Sequence, residues 1–297
     1  MFRGTKTAVL AALLSLSPLP ALAHGLSLEP LADPWLTLPL LASGLLYLVG
    51  HLRLVFRRQR RSGWPVIRRA LLFAGGWLLL VLPVATPLHD WGEESFAAHM
   101  IEHEIVMVLA APLLAMSRPL GILLWGCPGP VRRWLLRAGR RGGLGRLWRR
   151  LTDPLVATAL QAIVLWGWHV PPAFDAAVAS SPLHALQHLT FLASAVLFWW
   201  ALAYGREGHR GFGMGAFCQF LTVLHTGLLA ALLVFARTPW YASYTHQHGS
   251  LTPLEDQQLA GLVMWVPAGL VHTAAALALF ALWLNGAGRN RPVLWAD

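Results

Sequence analysis

The sequence predicts an all-α membrane protein with seven transmembrane helices after an N-terminal signal peptide. The mature N-terminus is expected outside and the C-terminus in the cytoplasm. Three observations carry this. First, 56% of the 297 residues are hydrophobic and only 12% are charged, about half the charged share of a soluble domain. The mean hydropathy of +0.55 leaves too much apolar surface for a water-soluble fold, so lipid must act as solvent. Second, unbroken apolar runs recur at the length of roughly 20 residues that a helix needs to cross a bilayer. A membrane barrel would alternate residue by residue instead. Third, the arginines gather in alternate connections between those runs.

The chain opens as a secretory signal expected to cover residues 1–23. Arg3 and Lys6 make its charged start, Ala8 to Leu16 its apolar core, and Ala21-Leu22-Ala23 a small-residue cleavage site. Cleavage there exposes His24. Residues 24–297 then form a single seven-helix membrane domain, with segments expected at about 35–56, 67–88, 97–117, 154–170, 182–204, 212–236 and 258–284. The fourth is the shortest. Connections after the first, third, fifth and seventh segments are basic. They hold Arg53 to Arg69, Arg132 to Arg150, Arg206 with Arg210, and Arg289 with Arg291. The alternate connections are acidic, with Asp90, Glu93 and Glu94, then Asp175, then Glu255 and Asp256. The basic side is the cytoplasmic one. The arginine-rich loop at 128–150 serves topology, with anionic lipid or a partner tail as a further reading.

The formal charge of +10 comes almost wholly from these loop arginines, which argues against a nucleic-acid surface. Cys127 and Cys218 are far apart, so no thiolate clip or redox pair is indicated. No Gly-x-Ser-x-Gly elbow, phosphate loop or His-Glu-x-x-His pattern occurs. The chain is therefore not expected to be an enzyme.

The chemistry lies in the histidines. On the expected topology nine of the thirteen fall at the outer side: His24, His89, His99, His103, His169, His184, His188, His246 and His248. His99 with His103, and His184 with His188, are spaced by four, which places both rings of each pair on one helical face. Met100 and Met107 lie within about a quarter turn of His103 on a regular helix. Imidazole with thioether suits copper, Cu(I) above all. The expected metal residues are His99, His103, His184, His188, His169, Met100 and Met107. Glu102 and Glu104 can orient histidines as acceptors, and Gln187 holds the matching place between the second pair. Met100 and Met107 also read simply as packing residues. His24, or His246 with His248, offers a capture point. His225 and His272 lie near mid-membrane and supply the alternative reading, a b-type haem protein in membrane electron transfer. A metal-dependent hydrolase using His99, His103, Glu102 and Asp175, or a scaffold with no metal, are further rivals.

Several segments together resemble a known family. They are His99-Met-Ile-Glu-His103 running into Ala110-Ala-Pro112-Leu-Leu114 and Arg118-Pro119-Leu120. They also include Trp168-His169-Val-Pro171, Phe174-Asp175-Ala-Ala177, His184-Ala-Leu-Gln-His188-Leu-Thr-Phe191 and Phe198-Trp199-Trp200. These resemble the CtaG family of multi-span cytochrome c oxidase assembly factors, over roughly residues 35–285. The single-span, cysteine-dependent copper chaperones that share the label are a different type. The resemblance implies a role in maturing a haem–copper oxidase in the bacterial inner membrane, by helping copper reach the catalytic subunit. That subunit, a periplasmic copper chaperone and membrane lipids are the implied partners. The motif positions carried over are His99, His103, His169, His184 and His188.

Overall fold

A computed structural model describes residues 33–57, 64–140, 143–205, 209–245 and 251–285. The expected signal peptide, His24, His246 and His248 lie outside the described residues. Among the described residues every regular element is a helix.

Two long helices come first, α1 (Pro34–Arg57) and α2 (Trp64–Ala85). A short α3 (Leu88–Glu94) leads into α4 (Phe96–Glu104). The chain continues without a break through a π-helical segment, Ile105–Ala110, into α5 (Ala111–Ser117). After α6 (Pro119–Gly126) come α7 (Gly129–Arg140) and α8 (Gly143–Leu151). Then follow α9 (Pro154–Trp168), α10 (Pro171–Val178), α11 (Ser181–Tyr204), α12 (His209–Val234) and α13 (Pro253–Leu284).

Six stretches are long and apolar enough to cross a membrane: Pro34–Phe56, Pro65–Ala85, Phe96–Ser117, Ser181–Tyr204, Gly211–Val234 and Pro253–Leu284. They match six of the seven expected segments within a few residues, and the protein is a multi-pass, all-helical membrane protein. The fourth expected segment, 154–170, is the 15-residue α9. At about 1.5 Å per residue it falls short of a hydrocarbon core of about 30 Å. The arginine-rich stretch expected as a loop is instead α7 and α8. These carry Arg132, Arg133 and Arg137, then Arg146, Arg149 and Arg150, beside the exposed Trp134, Leu144 and Leu147.

Helix starts follow local chemistry. The Asp153 carboxylate accepts from the amides of Leu155 and Val156, with Pro154 opening α9. Thr252 and Glu255 form a reciprocal capping box before Pro253. Between α5 and α6 the chain turns at Arg118, the one described non-glycine residue with positive φ, at 51°. That left-handed turn ends α5. It sets the guanidinium 4.0 Å from the centre of the Tyr204 ring, whose hydroxyl donates to the Met116 carbonyl.

The apolar stretch from Phe96 to Ser117 is the centre of the molecule. It is 61% buried, against 11% for α1 and for α2. Around it pack α11, α13 and α2. The outer faces of α1 and α12 carry exposed leucines such as Leu41, Leu45, Leu224 and Leu228. Hydrocarbon would cover these faces, because each helix satisfies its own backbone. At one contact glycine is required. A Cβ on Gly50 would collide with the Ile122 carbonyl, and one on Gly126 with the Leu46 carbonyl, so α1 and α6 meet backbone to backbone. Arg53 seals this contact by donating to the carbonyls of Trp125, Gly126 and Cys127 at 2.9, 3.1 and 3.0 Å.

Candidate metal centre

The N-terminus of α4 is set by a residue far away in sequence. The Asp256 carboxylate accepts from the Phe96 amide at 2.6 Å, the Ala97 amide at 3.3 Å and the Ser95 hydroxyl at 2.8 Å. A carboxylate at a helix N-terminus satisfies orphan amides and complements the helix dipole. It ties α13 to α4 one turn before His99.

One turn further on, α4 and α11 face each other and their histidine pairs meet. The His99 and His103 rings lie 4.5 Å apart, and those of His184 and His188 also 4.5 Å. Across the helices, His103 is 4.9 Å from His188 and His99 is 5.1 Å from His184, ring centre to ring centre. Candidate ligand atoms of His99, His103 and His188 all lie within 4.8 Å of one another, as do those of Glu102, His184 and His188. His99, Glu102 and His103 are buried.

The hydrogen bonds decide which nitrogens face the cluster. The Tyr244 hydroxyl donates to the Gly92 carbonyl at 2.8 Å and lies 3.2 Å from His99 Nδ1. A phenol has one proton, so toward His99 the hydroxyl accepts and Nδ1 is the donor. His99 Nε2 then carries a bare lone pair, and it is buried without a hydrogen-bond partner. Burial drives the Tyr244 pKa up, with nearby carboxylates adding to it, so the hydroxyl keeps its proton. Both nitrogens of His103 are likewise buried and unpartnered. Tyr244 is held in turn by Asp175. That carboxylate accepts from the amides of Ala242 and Ser243 and from the Ser243 hydroxyl, at 3.2, 3.0 and 2.8 Å. Asp175 thus anchors a loop and stands outside the cluster.

The sequence reading missed two members. His89, on α3, stacks on His184 with ring centres 5.4 Å apart and places Nδ1 3.3 Å from Glu102 Oε1. Burial pulls its pKa down, but the Glu102 hydrogen bond and charge outweigh this, and the net shift is upward. The second is Tyr244, which fixes the His99 tautomer. Neither had a spacing signal.

His169 stands one shell away. Its Nδ1 is 2.7 Å from the Leu165 carbonyl, which makes Nδ1 the donor, and its Nε2 is buried without a partner. It shares aromatic neighbours with the cluster. Phe174 lies 6.3 Å from His169 and 5.1 Å from His99, and Phe191 6.2 Å from His169 and 4.7 Å from His103. Met100 and Met107 are buried in the apolar cluster that contains Phe174 and Phe191. The quarter-turn relation of Met107 to His103 assumed a regular helix, and from Ile105 the helix has the wider π turn. Glu104 lies on the opposite side of α4 from Glu102. His272 is engaged elsewhere. Its Nδ1 lies 2.7 Å from Gln219 Oε1, and its ring stacks on Trp199 at 5.4 Å.

The family model described as cytochrome c oxidase caa3 assembly factor matches residues 45–286. The chain belongs to this family. The match runs from within α1 to just beyond α13, and so includes every member of the histidine cluster. No curated protein and no solved structure matches the chain. As an assembly factor it acts on components of cytochrome c oxidase, and family membership suggests a non-catalytic role.

Proposed function

We propose that this assembly factor binds copper, as Cu(I), at the outer face of the membrane and helps deliver it to the catalytic subunit of a haem–copper oxidase. The convergence of His99, His103 and His188 carries the reading. Their imidazoles come from two helices braced by independent contacts, and His99 and His103 bring buried nitrogens that no hydrogen bond occupies. Such donors suit Cu(I) or another borderline-soft ion. Around them Phe174, Phe191, Met100 and Met107 close the site, and the methionines can lend thioether ligation if they turn inward.

The arginine pattern supports seven crossings with α7 and α8 at the cytoplasmic surface, if α9 spans with the residues that follow it. The cluster then lies toward the outer face of the bacterial inner membrane. Copper arrives there from a periplasmic chaperone and leaves when the oxidase subunit's own ligands replace these histidines. This is transfer, not turnover.

Copper competition with a Cu(I) chelator tests the reading, comparing wild type with His99→Ala and His103→Ala. Each variant is expected to weaken binding by at least about tenfold. Ligation needs neutral imidazole, so wild-type affinity falls once the solution is acid enough to protonate the cluster. Unchanged affinity in both folded variants refutes histidine ligation.

A further inference from the structure

The cluster contains a second donor set with different chemistry. Glu102, His184 and His188 offer one carboxylate oxygen and two imidazole nitrogens within 4.8 Å of one another. His188 Nε2 is 3.0 Å from His184 Nε2 and 3.8 Å from Glu102 Oε2. The other oxygen, Oε1, lies in ion-pair range of His89 Nδ1 at 3.3 Å. His89 thus sits on the Oε1 side of the carboxylate and leaves Oε2 toward His188, as outer partners of metal ligands commonly do.

We propose a second metal position at Glu102, His184 and His188 that takes a divalent ion of the Cu(II) or Zn(II) type. A mixed oxygen and nitrogen set suits such ions, whereas Cu(I) takes imidazole and thioether in preference to a carboxylate. The position also suits the local charge. Glu102 is 1% exposed, and a metal ion would add to the positive charge that His89 brings to it.

Access distinguishes the two positions. A groove of about 340 Å³ runs between α1, α2 and α11, and His89, Glu102 and His188 lie in its wall. His99, His103 and His184 do not line it. The carboxylate position shares Glu102 and His188 with the groove wall, and the three-imidazole position shares only His188. Because His188 belongs to both sets, the two positions compete for one ligand and are filled one at a time. This second position rests on the copper-carrier reading above.

The test uses purified full-length protein, loaded with Cu(II) and followed by electron paramagnetic resonance, and separately titrated with Cu(I) against a chelator. Wild type is expected to bind Cu(II) at one nitrogen-and-oxygen-coordinated position. Glu102→Gln, and independently His184→Ala, should each weaken Cu(II) by at least about tenfold and leave Cu(I) binding nearly unchanged. His103→Ala should do the converse. Should Glu102→Gln fail to fold, by loss of its helical circular dichroism, His184→Ala decides. Cu(II) binding insensitive to the folded variants overturns the second position. So does joint loss of both oxidation states in folded Glu102→Gln, which means one site. Cu(I) binding without any Cu(II) signal overturns the second position alone, whereas no copper binding in either state overturns the carrier reading as well.

Discussion

Tyr244 gives the sharpest test of how the centre is held. Tyr244→Phe removes one oxygen and keeps the ring, which packs against Phe96 at 5.5 Å and Phe174 at 6.1 Å. Two contacts disappear, the bond to the Gly92 carbonyl and the acceptance from His99 Nδ1. A net hydrogen bond contributes about 0.5–1.5 kcal/mol, and a buried group left unsatisfied costs about 1–3 kcal/mol. The fold should therefore lose about 2 kcal/mol. The effect on metal is separate. Without the hydroxyl, His99 Nδ1 loses the acceptor that fixes it as the donor nitrogen, and the ring can protonate at Nε2 or rotate. Loss of such an orienting partner typically weakens metal binding by about 10–100-fold. Chelator competition for Cu(I) measures the affinity, and thermal unfolding in detergent measures the fold. Reduced stability with unaltered Cu(I) affinity would refute the tautomer argument while leaving the packing intact.

Other contacts make further claims. Asp256→Ala strips the N-terminus of α4 of three hydrogen bonds and should cost about 2–3 kcal/mol by thermal or denaturant unfolding. A histidine whose pKa is higher folded than unfolded stabilises the fold below its unfolded value, about 6.5, and stops doing so as pH rises through the folded value. His89 is such a group, so the melting-temperature gap between wild type and His89→Ala should shrink from about pH 6 to about pH 8.5. A gap that widens with pH contradicts the His89–Glu102 pairing. Gly126→Ala drives a methyl into the Leu46 carbonyl and should destabilise by about 1–3 kcal/mol, or more where backbone has to move. Ala at Gly129, where a Cβ meets nothing, is the matched control and should leave the melting temperature unchanged.

Much of this architecture is local and therefore readable. Asp153-Pro154 and Thr252-Pro253 announce helix starts, and the apolar runs behind them set the lengths. The spacing of His99 with His103, and of His184 with His188, needs only helical geometry to put each pair on one face. That the two pairs meet is a tertiary fact, fixed by the approach of α4 to α11. The sequence places His89 at the outer side but does not join it to the pairs, because it arrives on a separate short helix that folds back on α4. Tyr244 comes through a loop that Asp175 pins, and no period or motif links those positions. The expected angle of Met107 assumed constant helical rotation, and the segment that carries it has the wider π pattern instead.

That π segment also has a bearing on how relatives of this chain should be aligned. A π turn amounts to one extra residue lodged in an α-helix. Removing one residue between Ile105 and Ala110 would let the helix close to regular α geometry while its two ends kept nearly the same angle, because the wider π turn takes up the extra residue. The His99–His103 face would then still share its angle with the Arg118 turn and the Tyr204 ring that anchors it. In related sequences a one-residue gap at this place is thus a change in length without a change in aim. The same gap in the regular part of this span would turn the histidine face by about 100°, and a homologue carrying it there needs a compensating shift on α11 for its histidines still to converge.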